Sequence, residues 1–172
     1  MPVDIQEKNL LFCFEFDAIK FDDSQYYRDC FYKIQNGIRA VDIVAVNGST
    51  AYLIEIKDYR HPETKNLKPN KLIEAIVSKV ISTLSAILPM KNNANISEEK
   101  SIAGSFSKTS QLRVVLHIET PPQRRTLKQS CYNFQEIQVE LRRKLKPIDA
   151  HPTIVSKENL KHLPWTVESL RM

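Results

Sequence analysis

Apolar residues recur along this chain with two periods, and each change of period marks a new element. Residues 10–17, LLFCFEFD, open as an apolar run and end in alternation, which predicts a first strand. The polar stretch after it offers Asp22, Asp23 or Ser24 as a helix cap. A helix is expected from about Gln25, with Tyr27, Cys30, Phe31 and Ile34 facing the core and Gly37 as its stop. Residues 40–46 and 51–57 are β-branched and small apolar segments flanking Asn47-Gly48-Ser49-Thr50, the pattern of a hairpin. Residues 63–70 are polar and hold Pro69, so they read as loop. From 71 to 88 the stripe Ile73, Ile76, Val77, Val80, Leu84, Ile87 and Leu88 predicts a long helix that Pro89 ends. Residues 89–110 show almost no apolar periodicity and are expected to form a mobile loop. Alternation returns over 111–119, with Leu112, Val114, Leu116 and Ile118 on one face and Arg113, Val115, His117 and Glu119 on the other. A helix is expected over about 123–145, its later part apolar at Phe134, Ile137, Val139, Leu141 and Leu145. A short strand over 152–156, a short helix over 157–163 and an irregular tail plugged by Trp165 complete the chain. The expected fold is α/β: one domain over residues 1–172, with a mixed central sheet flanked by helices.

The hairpin also carries candidate chemistry. If its turn is centred on Gly48-Ser49, Val46 faces Ala51, Val44 faces Leu53, and Asp42 faces Glu55. Alternation then puts Asp42, Glu55 and Lys57 on one face of the sheet. Opposed like charges destabilise a sheet, so the two acids call for a cation, and a hard divalent ion such as Mg²⁺ suits oxygen donors. Lys57 could balance charge or orient a water. The plainer reading is a solvated face on which Lys57 and Glu55 form a surface ion pair worth little. Against it, Val44 and Leu53 share that face while Val41, Ile43, Tyr52, Ile54 and Ile56 make the other face apolar, as in strands buried between layers.

Composition narrows the options. The chain has 172 residues and a formal net charge of +5, with only three glycines, none of them in a phosphate-binding loop pattern. Cys13, Cys30 and Cys131 form no CxxC pair and fit incidental thiols in a reducing compartment. With no apolar run of about 18 residues and no signal-peptide pattern, a soluble cytoplasmic protein is expected. Basic residues gather at Arg124, Arg125, Lys128, Arg142, Arg143, Lys144 and Lys146, opposed by Glu136 and Glu140. Such a segment fits a polyanion partner or a solvated helix surface.

The stretch GIRAVDIVAVNGSTAYLIEIKDY, from Gly37 to Tyr59, resembles the PD-(D/E)XK nuclease superfamily through Asp42 and Glu55-Ile56-Lys57, with Val41 where the motif's name has proline. The resemblance implies a restriction-endonuclease-like αβββαβ core, here with a leading strand. It also implies a metal-dependent phosphodiesterase site, with Asp42 and Glu55 as ligands to Mg²⁺ (or Mn²⁺) and Lys57 positioning the attacking water. An acid near the first helix often joins such sites, which makes Asp22 and Asp23 candidates, with Glu15 behind them. Lys79 resembles the helix lysine that some members aim at the site, while a surface lysine is the safer reading of its place between the two faces of the helix. Arg60 and His61 follow the ExK strand, and with Arg124, Arg125 and Lys128 they are candidates for phosphate contact. The expected activity is a divalent-metal-dependent nuclease acting on nucleic acid, DNA first, with no membrane role and room for a homodimer or a partner protein. The alternatives are a catalytically inactive module of the same fold and an unrelated α/β protein whose hairpin charges are incidental.

Overall fold

The computed structural model describes residues 2–35, 37–61, 63–65, 67–121 and 133–170. Five strands form the main sheet: β3 (Asp17–Lys20), β4 (Ile43–Asn47), β5 (Thr50–Asp58), β6 (Gln111–Glu119) and β7 (Thr153–Val155), in that spatial order. The first three are antiparallel, and β6 and β7 run parallel to β5. The sheet is therefore mixed, as expected. The hairpin has the expected register, with Val46 opposite Ala51 and Val44 opposite Leu53, and Gly48 supplies the positive φ of +58° at the turn.

One face of this sheet is covered by helices. Helix α1 (Gln25–Asp29) lies between β3 and β4, α2 (Pro69–Asn93) and α3 (Ser97–Phe106) connect β5 to β6, and α4 (Phe134–Leu145) precedes β7. Val44, Val46, Leu53, Val114 and Leu116 meet Ile76, Val80, Ile102, Phe106, Ile137 and Leu141 in the helix-side core. The other face is covered by a second sheet. Strands β1 (Val3–Glu7), β2 (Leu10–Phe14) and β8 (Trp165–Ser169) pair in the order β1-β2-β8, all antiparallel. Phe12, Phe14, Trp165 and Val167 pack on Ile43, Ile54, Ile56 and Val115 to form the back core. Strands β4 and β5 are thus apolar on both faces because both faces are covered.

Several elements differ from expectation. Residues 3–7 form a strand, and what reads as a single first strand is β2 followed by β3. The first helix is short and passes into a 3-10 turn at Phe31–Lys33, which turns Cys30 outward and leaves Ile34 64% exposed while Tyr27 and Phe31 stay buried. Val41 precedes β4 and joins the helix-side core. Pro89 does not end α2. Met90 and Ala94 are buried beneath the last turn and hold it, while Leu88 is exposed on the wet side. By length and apolarity alone α2 would pass for a membrane-crossing helix, but its apolar face is taken up by the core.

Residues 97–106, expected as loop, are helix α3. Its buried Glu99 accepts hydrogen bonds from the backbone N–H of Gln25 (2.6 Å) and Tyr26 (3.2 Å), so one helix caps the start of another. Residues 157–163 form turns with a bridge between Ser156 and Asn159, and the expected tail is strand β8. Trp165 is buried, tilted against Phe14 and edge-on to Tyr52. In α4, Ile137, Leu141 and Leu145 are buried whereas Val139 is exposed.

Candidate active site

Asp42 sits one residue before β4, where the ladder with β5 gives way. Its carbonyl accepts from Phe21 N–H at 2.8 Å, and its Oδ2 accepts from Ile56 N–H at 2.5 Å. The carboxylate thus takes over a backbone donor that the shorter partner strand leaves behind. The neighbouring Val41 N–H donates to Thr83 Oγ1 at 3.0 Å, and that hydroxyl donates to the Lys79 carbonyl at 2.8 Å. This buried threonine ties α2 to the residue before Asp42. It is a positioning contact that apolar periodicity does not reveal.

Glu55 follows on β5 with 1% of its surface exposed, on the helix side of the sheet, and Asp42 has 8%. Lys57 Nζ donates to Glu55 Oε1 at 2.5 Å. Lys79 reaches down from α2 and donates to both Glu55 oxygens at 2.8 Å and to Asp42 Oδ1 at 3.4 Å. The structure therefore brings Asp42, Glu55, Lys57 and Lys79 together in one cluster, the two acids buried and the two lysines half-buried over them.

Asp22 lies close enough for the Asp42 charge to act on it, and its Oδ1 is buried without a hydrogen-bond partner. Burial first, then the Asp42 charge, pushes the Asp22 carboxyl up to about 7. Burial and Asp42 also push Glu55 above the usual carboxylate range, against the pull of both lysines. Burial works against the Lys79 ammonium, but Glu55 and Asp42 outweigh it and hold its pKa above the ordinary lysine value. Burial is the larger cause for both raised carboxyls, and the lysines around them only partly offset it.

Other candidates lie elsewhere. Asp23 is exposed and pairs with Arg28 at 3.2 Å, and Glu15 is exposed. Arg60 is held by Asp58, at 2.8 Å and 2.9 Å through two nitrogens, and also reaches Glu119. That network belongs to the back face of the sheet, where buried His117 meets Glu119 at 3.0 Å and the edge of Phe12. His61 Nδ1 accepts from Glu63 N–H. Arg124, Arg125 and Lys128 lie outside the described residues.

Across 96% of its length the chain is 27% identical to a cysteine–tRNA ligase of Neisseria meningitidis serogroup A, and it spans 30% of the length of that protein. No family model matches the chain. No solved structure matches it.

Asp22, Asp42 and Glu55 offer only carboxylate oxygens, the hard donors that Mg²⁺ and Mn²⁺ take, and the orphaned Asp22 oxygen lacks a partner. As the side chains stand, no group of three or more His, Cys, Asp or Glu among the described residues is arranged to hold a metal. The chemistry fits; Lys79 lies across the oxygens an ion would use.

Proposed function

We propose that this chain is a divalent-metal-dependent nuclease of the PD-(D/E)XK kind that hydrolyses phosphodiester bonds, with DNA as its first-choice substrate. The observation that supports this reading is the meeting of Asp42, Glu55 and Lys57 on one face of the β4–β5 hairpin, the two acids buried at the helix side of the sheet. Asp42 and Glu55, with Asp22 as a third candidate, would hold Mg²⁺ or Mn²⁺. When bound, the ion supplies electrostatic stabilisation of charge developing on a phosphate. The Ile56 N–H fixes one Asp42 oxygen and so orients the other. Lys57, on the same strand as Glu55 and the less enclosed of the two lysines, would orient a water and neutralise charge.

The test is cleavage of plasmid, linear and single-stranded DNA in Mg²⁺ or Mn²⁺, with EDTA as control. Because the matched protein is a tRNA ligase, tRNA belongs in the panel as well. Cleavage should need metal and should fall at least 100-fold in Lys57→Ala and Glu55→Gln, with circular dichroism unchanged. Equal cleavage by both variants would sink the reading.

A second reading, a nuclease-fold module that binds nucleic acid or a partner protein without cutting, is favoured by one observation. Both Glu55 oxygens are already satisfied by lysine. Nucleic-acid binding by filter retention, with no cleavage in any metal, selects it.

A further inference from the structure

Of the four carboxylate oxygens of Asp42 and Glu55, three meet a single nitrogen, Lys79 Nζ, and the fourth takes the Ile56 N–H. Lys57 touches only Glu55 Oε1, from two residues along the same strand. The two lysines are therefore not equivalent. Lys57 flanks the acid pair, whereas Lys79 bridges it from another element.

A lysine ammonium is a compact point charge on a flexible four-carbon stem, and its three protons are donated to whichever oxygens surround it. A divalent ion takes the same oxygens at short range. The two cations would repel strongly in a site this buried, so they cannot share them. The backbone need not move to separate them. Thr83 pins α2 to Val41, while the Lys79 side chain can swing about its own torsions.

From this geometry we infer that Lys79 is the built-in counter-cation of the acid pair. It holds the carboxylates together and must be displaced before a divalent ion enters, and the displaced ammonium is then free to meet a phosphate. The inference rests on the metal-site reading above.

The experiment follows Mn²⁺ alone, by the electron paramagnetic resonance signal of the free ion, titrated into wild-type protein, Lys79→Met and Glu55→Gln. Lys79→Met should bind Mn²⁺ at least tenfold more tightly than wild type, and Glu55→Gln should lose binding. Equal or weaker binding by Lys79→Met overturns the displacement, and if Glu55→Gln still loses binding the metal site itself stands. No binding by either wild type or Lys79→Met overturns both. A second measurement uses wild-type protein only, in case Lys79→Met does not fold. Lys79 should be several-fold more reactive to an amine-acylating reagent, read by peptide mass, in saturating Mg²⁺ than in EDTA. Unchanged reactivity overturns the proposal.

Discussion

Replacing Asp22 by Asn tests the electrostatics of the cluster without touching its lysines. The carboxyl is raised from its ordinary 3.8 to about 7, by burial first and then by the charges of Asp42 and Glu7, against the pull of Lys20 and Lys79. The folded pKa lies above the unfolded one, so the unfolded chain ionises first as pH rises. The wild type therefore loses stability between about pH 4 and pH 7, and the loss levels off above that. At about 1.4 kcal/mol per unit, the ceiling is about 4 kcal/mol. Asp22 is only half-buried, and solvent relaxation brings the expected gain to about 2 kcal/mol.

Asn keeps the size of the side chain and cannot ionise. Urea unfolding in EDTA should show Asp22→Asn more stable than wild type by about 2 kcal/mol at pH 8.5, with the gap shrinking to about 0.5 kcal/mol or less at pH 4. The urea slopes should be equal, since little surface changes. A gap that stays constant with pH, or a less stable variant at pH 8.5, would refute the argument. If Asp22 joins the proposed metal site, saturating Mg²⁺ should narrow the gap, because an ion that binds the native wild type better than the variant stabilises it by mass action, about 2.7 kcal/mol at a hundred times Kd.

Two further outcomes concern the frame around the site. Glu99→Ala strips the cap from two backbone donors of α1 and should lower stability by about 1–3 kcal/mol in thermal or urea unfolding, with Glu99→Gln recovering part of it. Asp58 is buried enough to be pushed up, but its hydrogen bonds from Arg60 win and hold it below the usual carboxylate range. Its stabilising effect is present above the unfolded pKa and disappears as pH falls through the lowered folded value, so Arg60→Ala should flatten the acid side of the stability profile.

Legibility in the sequence followed the strength of local signals. The hairpin register could be read because Asn47-Gly48 fixes the turn between two β-branched apolar segments, and the period of two then places Glu55 and Lys57 on one face. Lys79 could not be assigned, because it sits at the edge of the apolar stripe of α2, where only the packing of the helix on the sheet decides whether it meets water or Glu55. Strand β1 was hidden because Ile5 is its one buried side chain, so no period shows. Helix α3 left a faint trace: Glu98 and Glu99 in the first turn, then Ile102 and Phe106 four apart. Pro89 misled because proline is a strong stop in isolation, and tertiary burial of Met90 and Ala94 outweighs it here. Asp22 and Asp23 are adjacent in sequence, and only the path of the chain after β3 turns one inward and the other to Arg28.

The back sheet has a bearing on how the molecule is made. Strand β8 pairs with β2, Phe14 against Trp165, so its rear layer closes only through a contact between segments far apart in the chain. Contacts of that separation form late. During synthesis the β4–β5 hairpin and α2 can assemble while Ile54, Ile56 and Val115 still lack Trp165 and Val167 behind them. A nascent chain paused before residue 165 would present the acid cluster on a sheet whose reverse side has only β1 and β2 over it, with Phe12 and Phe14 lacking Trp165 and Val167 beside them, the condition in which chaperone capture or aggregation competes with folding.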